Sequence, residues 1–133
     1  MHDDFVDPFL AVMEFHKRYG VPILSEPGLP SADRIELRKN LMFEELEEIC
    51  EALERGDILQ VAKELADLAY VVYGAGLECG IDLRPAIREV HRSNMTKTPG
   101  LYRKDGKCLK GPDYEPPKLE SILHEMRISK ESK

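Results

Sequence analysis

The sequence reads as an α-helical chain of four helices, then a turn-rich basic arm and a short last helix. Three observations carry that reading. Helix-starting and helix-stopping residues recur at four places, apolar residues recur between them at three- and four-residue spacing, and turn dipeptides gather after Thr98.

Asp7-Pro8 ahead of Phe9, Leu10, Met13 and His16 predicts a first helix, capped at Asp7 and ended by Gly20 and Pro22. Val21 to Pro30 is then a loop. Asp33 followed by Glu36 has the reciprocal spacing of a capped start, and Gly56 is a stop, so a second helix runs from about Asp33 to Arg55. Asp57 with Gln60 repeats the device for a third helix that ends near Gly80. Asp82, with Pro85 in the first turn, opens a fourth that runs to about Met95. Beyond Thr98, Pro99-Gly100, Asp105-Gly106, Gly111-Pro112 and Pro116-Pro117 mark turns, and Asp105-Gly106 suits the tip of a small hairpin. Lys118 to Arg127 is read as the last short helix, and the terminal "SKESK" as a fraying end. No repeat or linker divides the chain, so residues 1–133 are read as a single domain.

With 42% hydrophobic and 33% charged residues, the chain has the apolar content of a folded soluble protein. The longest apolar run, Leu68 to Leu77, falls short of the roughly 20 residues that cross a bilayer. Asp3, Asp4 and Asp7 stand where a signal peptide would carry basic residues. Cys50, Cys79 and Cys108 form no CxxC pair and read as reduced thiols. A cytoplasmic protein is therefore expected. A net charge of -6 argues against a stable nucleic-acid partner, although base gathers between Arg92 and Lys110 while acid gathers between Glu44 and Asp57.

The acids are unevenly placed. On the second helix Met42, Leu46, Ile49 and Leu53 share an apolar stripe, expected to be buried, while Glu47, Glu51 and Glu54 point away from it as a solvated face. Glu45 and Glu48 fall at the edge of the buried side, and Glu44 lies further round. On the third helix Val61, Leu65, Leu68, Val72 and Ala75 form a wide apolar surface with Glu64 inside its arc and Asp67 beside it. Any one of these acids is most simply paired with a lysine or snorkelling to the surface. Five on two adjacent antiparallel helices are not, because Lys39 and Lys63 are too few to neutralise them. Hard divalent cations prefer carboxylate oxygens, and the missing Glu-x-x-His argues against a di-iron centre, so Mg²⁺ or Mn²⁺ is the expected partner.

Glu44-Glu45-x-x-Glu48 followed by Glu64-x-x-Asp67 resembles the EExxE...ExxD motif of the MazG-like nucleoside triphosphate pyrophosphohydrolases, relatives of the dimeric dUTPases. A second block, "EVHRSNMTK" from Glu89 and "DGKCLKGPDYEPPKL" from Asp105, is similar to the subgroup labelled phosphoribosyl-ATP pyrophosphohydrolase-like or Cof-like. With "EFHKRYG" of the first helix, the likeness covers most of the chain. It implies an all-α fold, a four-to-five-helix bundle completed by oligomerisation as a dimer or dimer-based tetramer. It implies an enzyme that uses Mg²⁺, with Mn²⁺ as a substitute, to cleave a nucleoside triphosphate substrate to monophosphate and pyrophosphate, in the housekeeping of nucleotide pools.

By the motif, Glu45, Glu48, Glu64 and Asp67 are the expected metal ligands. Glu44 either ligates a further ion or orients the attacking water, and Glu45 is an alternative general base. In the second block Lys97 and Lys110 are favoured as substrate-binding groups, with Asn94, His91, Arg92 and Lys107 beside them. Helix capping is nearly as good an account of Asn94, and a structural role the better one for a lone His91 and for His16. Tyr70 and Tyr73 are read as core or interface. The rival readings are phosphoribosyl-ATP pyrophosphohydrolase of histidine biosynthesis, a relative that binds nucleotides without turnover, and a non-catalytic helical interaction module.

Overall fold

The computed structural model describes residues 6–129. Among them are five helices and no strand: α1 (Pro8–Tyr19), α2 (Ala32–Arg55), α3 (Ile58–Glu78), α4 (Leu83–Asn94) and α5 (Glu120–Glu125). They divide into two compact units, one holding α1, α2, α3 and the chain from Arg127 on, the other running Leu83–Met126.

Local chemistry explains the boundaries. The Asp7 carboxylate accepts from the amides of Phe9 and Leu10 at 2.8 and 3.3 Å and starts α1, which Gly20 ends in the left-handed conformation. Asp57 caps α3 by accepting from Gln60 N–H at 3.2 Å. The cap of α2 is Ser31, whose hydroxyl accepts from Arg34 N–H, and not Asp33, which already lies in the first turn. The serine has the extended backbone a cap needs, and an acid one turn in still favours the helix dipole. The last helix is shorter than Lys118 to Arg127. Of the terminal "SKESK", all but Ser129 lies outside the described residues.

In the first unit Phe9, Val12 and Met13 of α1, Ile23 of the loop, Leu77 of α3 and Ile128 make one buried cluster. The loop is fixed to the end of α3, with Leu24 N–H donating to Leu77 O at 3.0 Å and Gly28 N–H to Cys79 O at 2.9 Å. Ile128 N–H donates to Ser25 O at 2.7 Å, which anchors the tail to the same loop. The expected stripe on α2 is only partly buried: Ile49 is covered, whereas Leu46 and Leu53 are 48% and 58% exposed. The face that α2 turns toward α3 lies one step round the helix from that stripe. Leu65 and Val72 of α3 are likewise open.

The second unit is held by polar contacts. Arg92 donates to both carboxylate oxygens of Glu89 at 3.0 and 2.8 Å and to Glu115 at 2.9 Å, which depresses the Glu89 carboxyl to about 2. Ser93, buried, donates to Glu115 O at 2.7 Å, and Thr96 Oγ1 accepts from Glu115 N–H at 2.8 Å. A one-bridge hairpin pairs Tyr102 with Cys108 around Asp105-Gly106.

Gly80 joins the end of α3 to the loop at φ 68, where a Cβ would sit 2.1 Å from Glu26 O; at Gly20, φ 69, a Cβ meets nothing within 4 Å. We expect Gly20→Ala to destabilise by about 1–2 kcal/mol from backbone strain alone, and Gly80→Ala by roughly 1–3 kcal/mol more from overlap. Urea unfolding of the two variants measures the difference, and equal losses would contradict it.

Candidate functional site

The site rests on the seam where α2 packs against α3. Gly56, left-handed at φ 70, reverses the chain in a single tight turn, so the two helices run antiparallel. On α2, Arg34, Arg38, Leu41, Glu45, Glu48 and Ala52 recur at alternating four- and three-residue intervals and therefore share a face. On α3, Val61, Glu64, Leu68, Val71, Ala75 and Glu78 do the same. Antiparallel packing sets Glu45 and Glu48 opposite Glu64, and Arg34 opposite Glu78.

Carboxylate oxygens of Glu45, Glu48 and Glu64 all lie within 4.8 Å of one another. Glu64 is buried at 4% exposure. Its Oε2 accepts from the side-chain amide of Gln60, one turn earlier. Its Oε1, and Oε2 of Glu45, are buried with no hydrogen-bond partner. Burial, then a hydrogen bond with Glu48 and the charges of Glu48, Asp67 and Glu64, push the Glu45 carboxyl up to about 7. Two carboxyls hydrogen-bond only when they share a proton. Buried unpaired oxygens on all-carboxylate donors are what a hard divalent cation satisfies, and no histidine or cysteine belongs to the group.

The other expected site residues are placed as follows. Asp67, one turn beyond Glu64 and near enough to act on Glu45, accepts from Lys63 Nζ at 2.7 Å. Lys63 also lies 3.8 Å from Glu64. Glu44 is exposed and turned from the seam, lining a shallow hollow with Asn40, Glu47 and Cys50. His91, Arg92, Asn94, Lys97, Lys107 and Lys110 belong to the second unit. There Arg92 is engaged by Glu89 and Glu115. Lys110 holds its ammonium 5.0 Å above the Tyr114 ring. His91, Asn94 and Lys107 are exposed, and Lys97 is half-buried.

Sequence reasoning missed the far end of the seam. Glu78 is fully buried and accepts from Arg34 Nε and Nη2, both at 2.7 Å, and from Arg38 Nε. Burial alone would raise its carboxyl, but the two guanidiniums overcome that and hold it below the ordinary range. The signal was the register: Arg34 and Arg38 share the Glu45 face, and Glu78 shares the Glu64 face.

A protein-family model described as phosphoribosyl-ATP pyrophosphohydrolase matches residues 12–94, more than half of the chain. No curated protein matches it. The matched span contains all of α2 and α3 and ends with α4.

Because the Glu45 carboxyl is raised to about 7, the folded chain holds a proton there that the unfolded chain has released. That stabilising contribution is complete below the ordinary carboxylate pKa and is lost as pH rises through about 7. In chelator, the melting temperature should fall as pH rises from about 5 to about 8. Excess Mg²⁺ or Mn²⁺ should raise it most at the upper end, by mass action on the folded state. Glu45→Gln should flatten the chelator profile and remove most of the cation effect; differential scanning fluorimetry reads all three.

Proposed function

The chain belongs to the phosphoribosyl-ATP pyrophosphohydrolase family, whose members are hydrolases of phosphoric anhydride bonds, and from that premise we propose that it cleaves nucleoside triphosphates to monophosphate and pyrophosphate with Mg²⁺. The observation that carries the proposal is the pair of buried carboxylate oxygens without partners, Glu45 Oε2 and Glu64 Oε1, beside Glu48 on one seam. Such a wall repels a triphosphate unless cations lie between. When bound, Mg²⁺ or Mn²⁺ supplies Lewis-acid polarisation of the phosphate oxygens.

The chain's own groups do the rest. Glu45, Glu48 and Glu64 would hold the cation, with Asp67, paired with Lys63, as a further candidate ligand. Lys63, 2.7 Å from Asp67 and 3.8 Å from Glu64, is the ammonium nearest these acids among the described residues. Glu45 is half-buried, and its carboxylate is the candidate to receive the proton of the water that attacks the α-phosphorus. Lys97, Lys107, Lys110, Asn94 and His91 are kept as the candidate substrate-binding groups of the second unit, within which Arg92 is held by Glu89 and Glu115. The exposed apolar stripe, with Phe43 at 64%, Leu46 at 48%, Leu53 at 58% and Leu65 at 51%, supports assembly into a dimer or dimer-based tetramer.

We favour simple nucleotides over phosphoribosyl-ATP because the matched span stops before the arm, where the "DGKCLKGPDYEPPKL" block resembles the housekeeping subgroup. The family description keeps phosphoribosyl-ATP as the second reading. Among the described residues no helix is long and apolar enough to cross a membrane.

A panel of NTPs and dNTPs together with phosphoribosyl-ATP, in Mg²⁺ or Mn²⁺, should yield pyrophosphate and not orthophosphate. Glu48→Gln should lower kcat/KM by at least about 100-fold, the scale for loss of a preorganised electrostatic group. Faster cleavage of phosphoribosyl-ATP than of any simple nucleotide would transfer the assignment to the second reading. Sedimentation of wild type against Leu46→Glu tests the assembly: the variant should run as a monomer, and an unchanged assembly would exclude the stripe as its interface.

A further inference from the structure

Two turns along the seam from the acids, α1, α2 and α3 enclose a cavity of about 390 Å³ that includes Phe15, His16, Arg34, Arg38, Tyr70 and Gly74. It shares α2 and α3 with the acidic site. Leu41, in its wall, precedes Glu45 by one turn, and Val71 follows Asp67 by one turn. Arg38 precedes Glu45 by about 10.5 Å of helix rise, a span on the scale of one nucleoside. The walls are apolar and aromatic, with Phe15 and Tyr70 edge to face at 5.7 Å.

The polar groups at its floor have a definite donor count. The carbonyl of Pro22 lies 3.1 Å from His16 Nδ1 and can only accept, so Nδ1 carries the proton. His16 Nε2 is therefore an acceptor, and Arg38 Nη2 donates to it at 3.4 Å. Burial keeps that imidazole neutral by lowering its pKa. Glu78 occupies Nε and Nη2 of Arg34 and Nε of Arg38. None of these bonds uses Nη1 of either arginine. Guanidinium nitrogens donate and never accept, and two guanidiniums against one carboxylate leave the cavity one positive charge in excess. Gly74 makes room for this arrangement: a Cβ there would lie 2.6 Å from Arg38 Nη1.

We infer that this cavity is a base-reading slot, in which Arg34 and Arg38 donate to nucleobases with an oxo edge and disfavour those with an amino group at the same position. The inference rests on the nucleotide reading above and supplies its substrate class. An oxo group gives the Nη1–H groups acceptors; an amino group faces them with further donors and leaves both sides unpaired. Arg38 is then a specificity-determining residue, and Glu78 positions it from the far side.

The test is a comparison of matched pairs that differ in that one group, dUTP against dCTP and ITP against ATP. The oxo partner should be favoured in kcat/KM by about tenfold to a hundredfold in each pair. Arg38→Met removes the donor while Arg34 still pairs with Glu78, and Gly74→Ala displaces the donor without removing it. Both should narrow the ratio to within about threefold. If either variant fails to fold, the wild-type ratios still decide. Turnover with equal or reversed preference overturns the slot and leaves the pyrophosphohydrolase reading intact. Should no nucleotide be turned over, that reading fails by itself, and the dissociation constants of α,β-imido dUTP and α,β-imido dCTP test the slot separately. Tighter binding of the uracil analogue supports it, and equal binding overturns it.

Discussion

The packing of α2 against α3 places charged groups where a helix pair ordinarily buries leucine. Helices meeting at alternating three- and four-residue spacing present a narrow seam to each other. Here that seam carries Arg34, Arg38, Glu45 and Glu48 on one side and Glu64 and Glu78 on the other. Other parts of the first unit hold it. Gly56 sets the reversal that aligns the helices, and the α1 cluster with Leu77 and Ile128 fixes the far end of α3. The loop bonds at Leu24 and Gly28 prevent that end from fraying.

Along this seam charge is treated in two ways. At the Arg34 end every oxygen of Glu78 has a guanidinium donor, so a fully buried carboxylate stays ionised. Buried pairs of this kind add little net stability, but loss of one partner typically costs about 3–5 kcal/mol. In the middle, three glutamates converge with, among the described residues, Gln60 and, at a distance, Lys63 to offset them. A structural ion pair and an unsatisfied carboxylate set thus stand on the same face two turns apart. The contrast argues that the deficit at Glu45, Glu48 and Glu64 is selective, since the same helices supply two arginines to the one carboxylate of Glu78.

Much of this was legible in the sequence, because the signals were local. Asp7, Gly20, Gly56 and Asp57 sit at the helix ends that their side chains or conformations favour. The acid motif identified the α2 and α3 positions that the structure brings together at Glu45, Glu48 and Glu64. Less legible was anything that depended on which face of a helix meets which neighbour. The Met42, Leu46, Ile49, Leu53 stripe has the right period, yet the seam lies beside it, and Leu46 and Leu53 are open to solvent. Asp33 and Ser31 both carry capping chemistry, and only the backbone conformation at Ser31 decides between them. The Arg34–Arg38–Glu78 network joins residues some forty positions apart, a pairing that no local window contains.

The proposal that joins fold to function is that Glu45, Glu48 and Glu64 together receive a divalent cation. Electron paramagnetic resonance of Mn²⁺ titrated with the full chain, wild type against Glu64→Gln, tests it without reference to substrate or turnover. The free-ion signal should be quenched stoichiometrically by wild type at neutral pH, should recover as Mg²⁺ is added in competition, and should be little affected by the variant. A wild-type chain that leaves the Mn²⁺ signal free, or a Glu64→Gln chain that quenches it equally well, would contradict it.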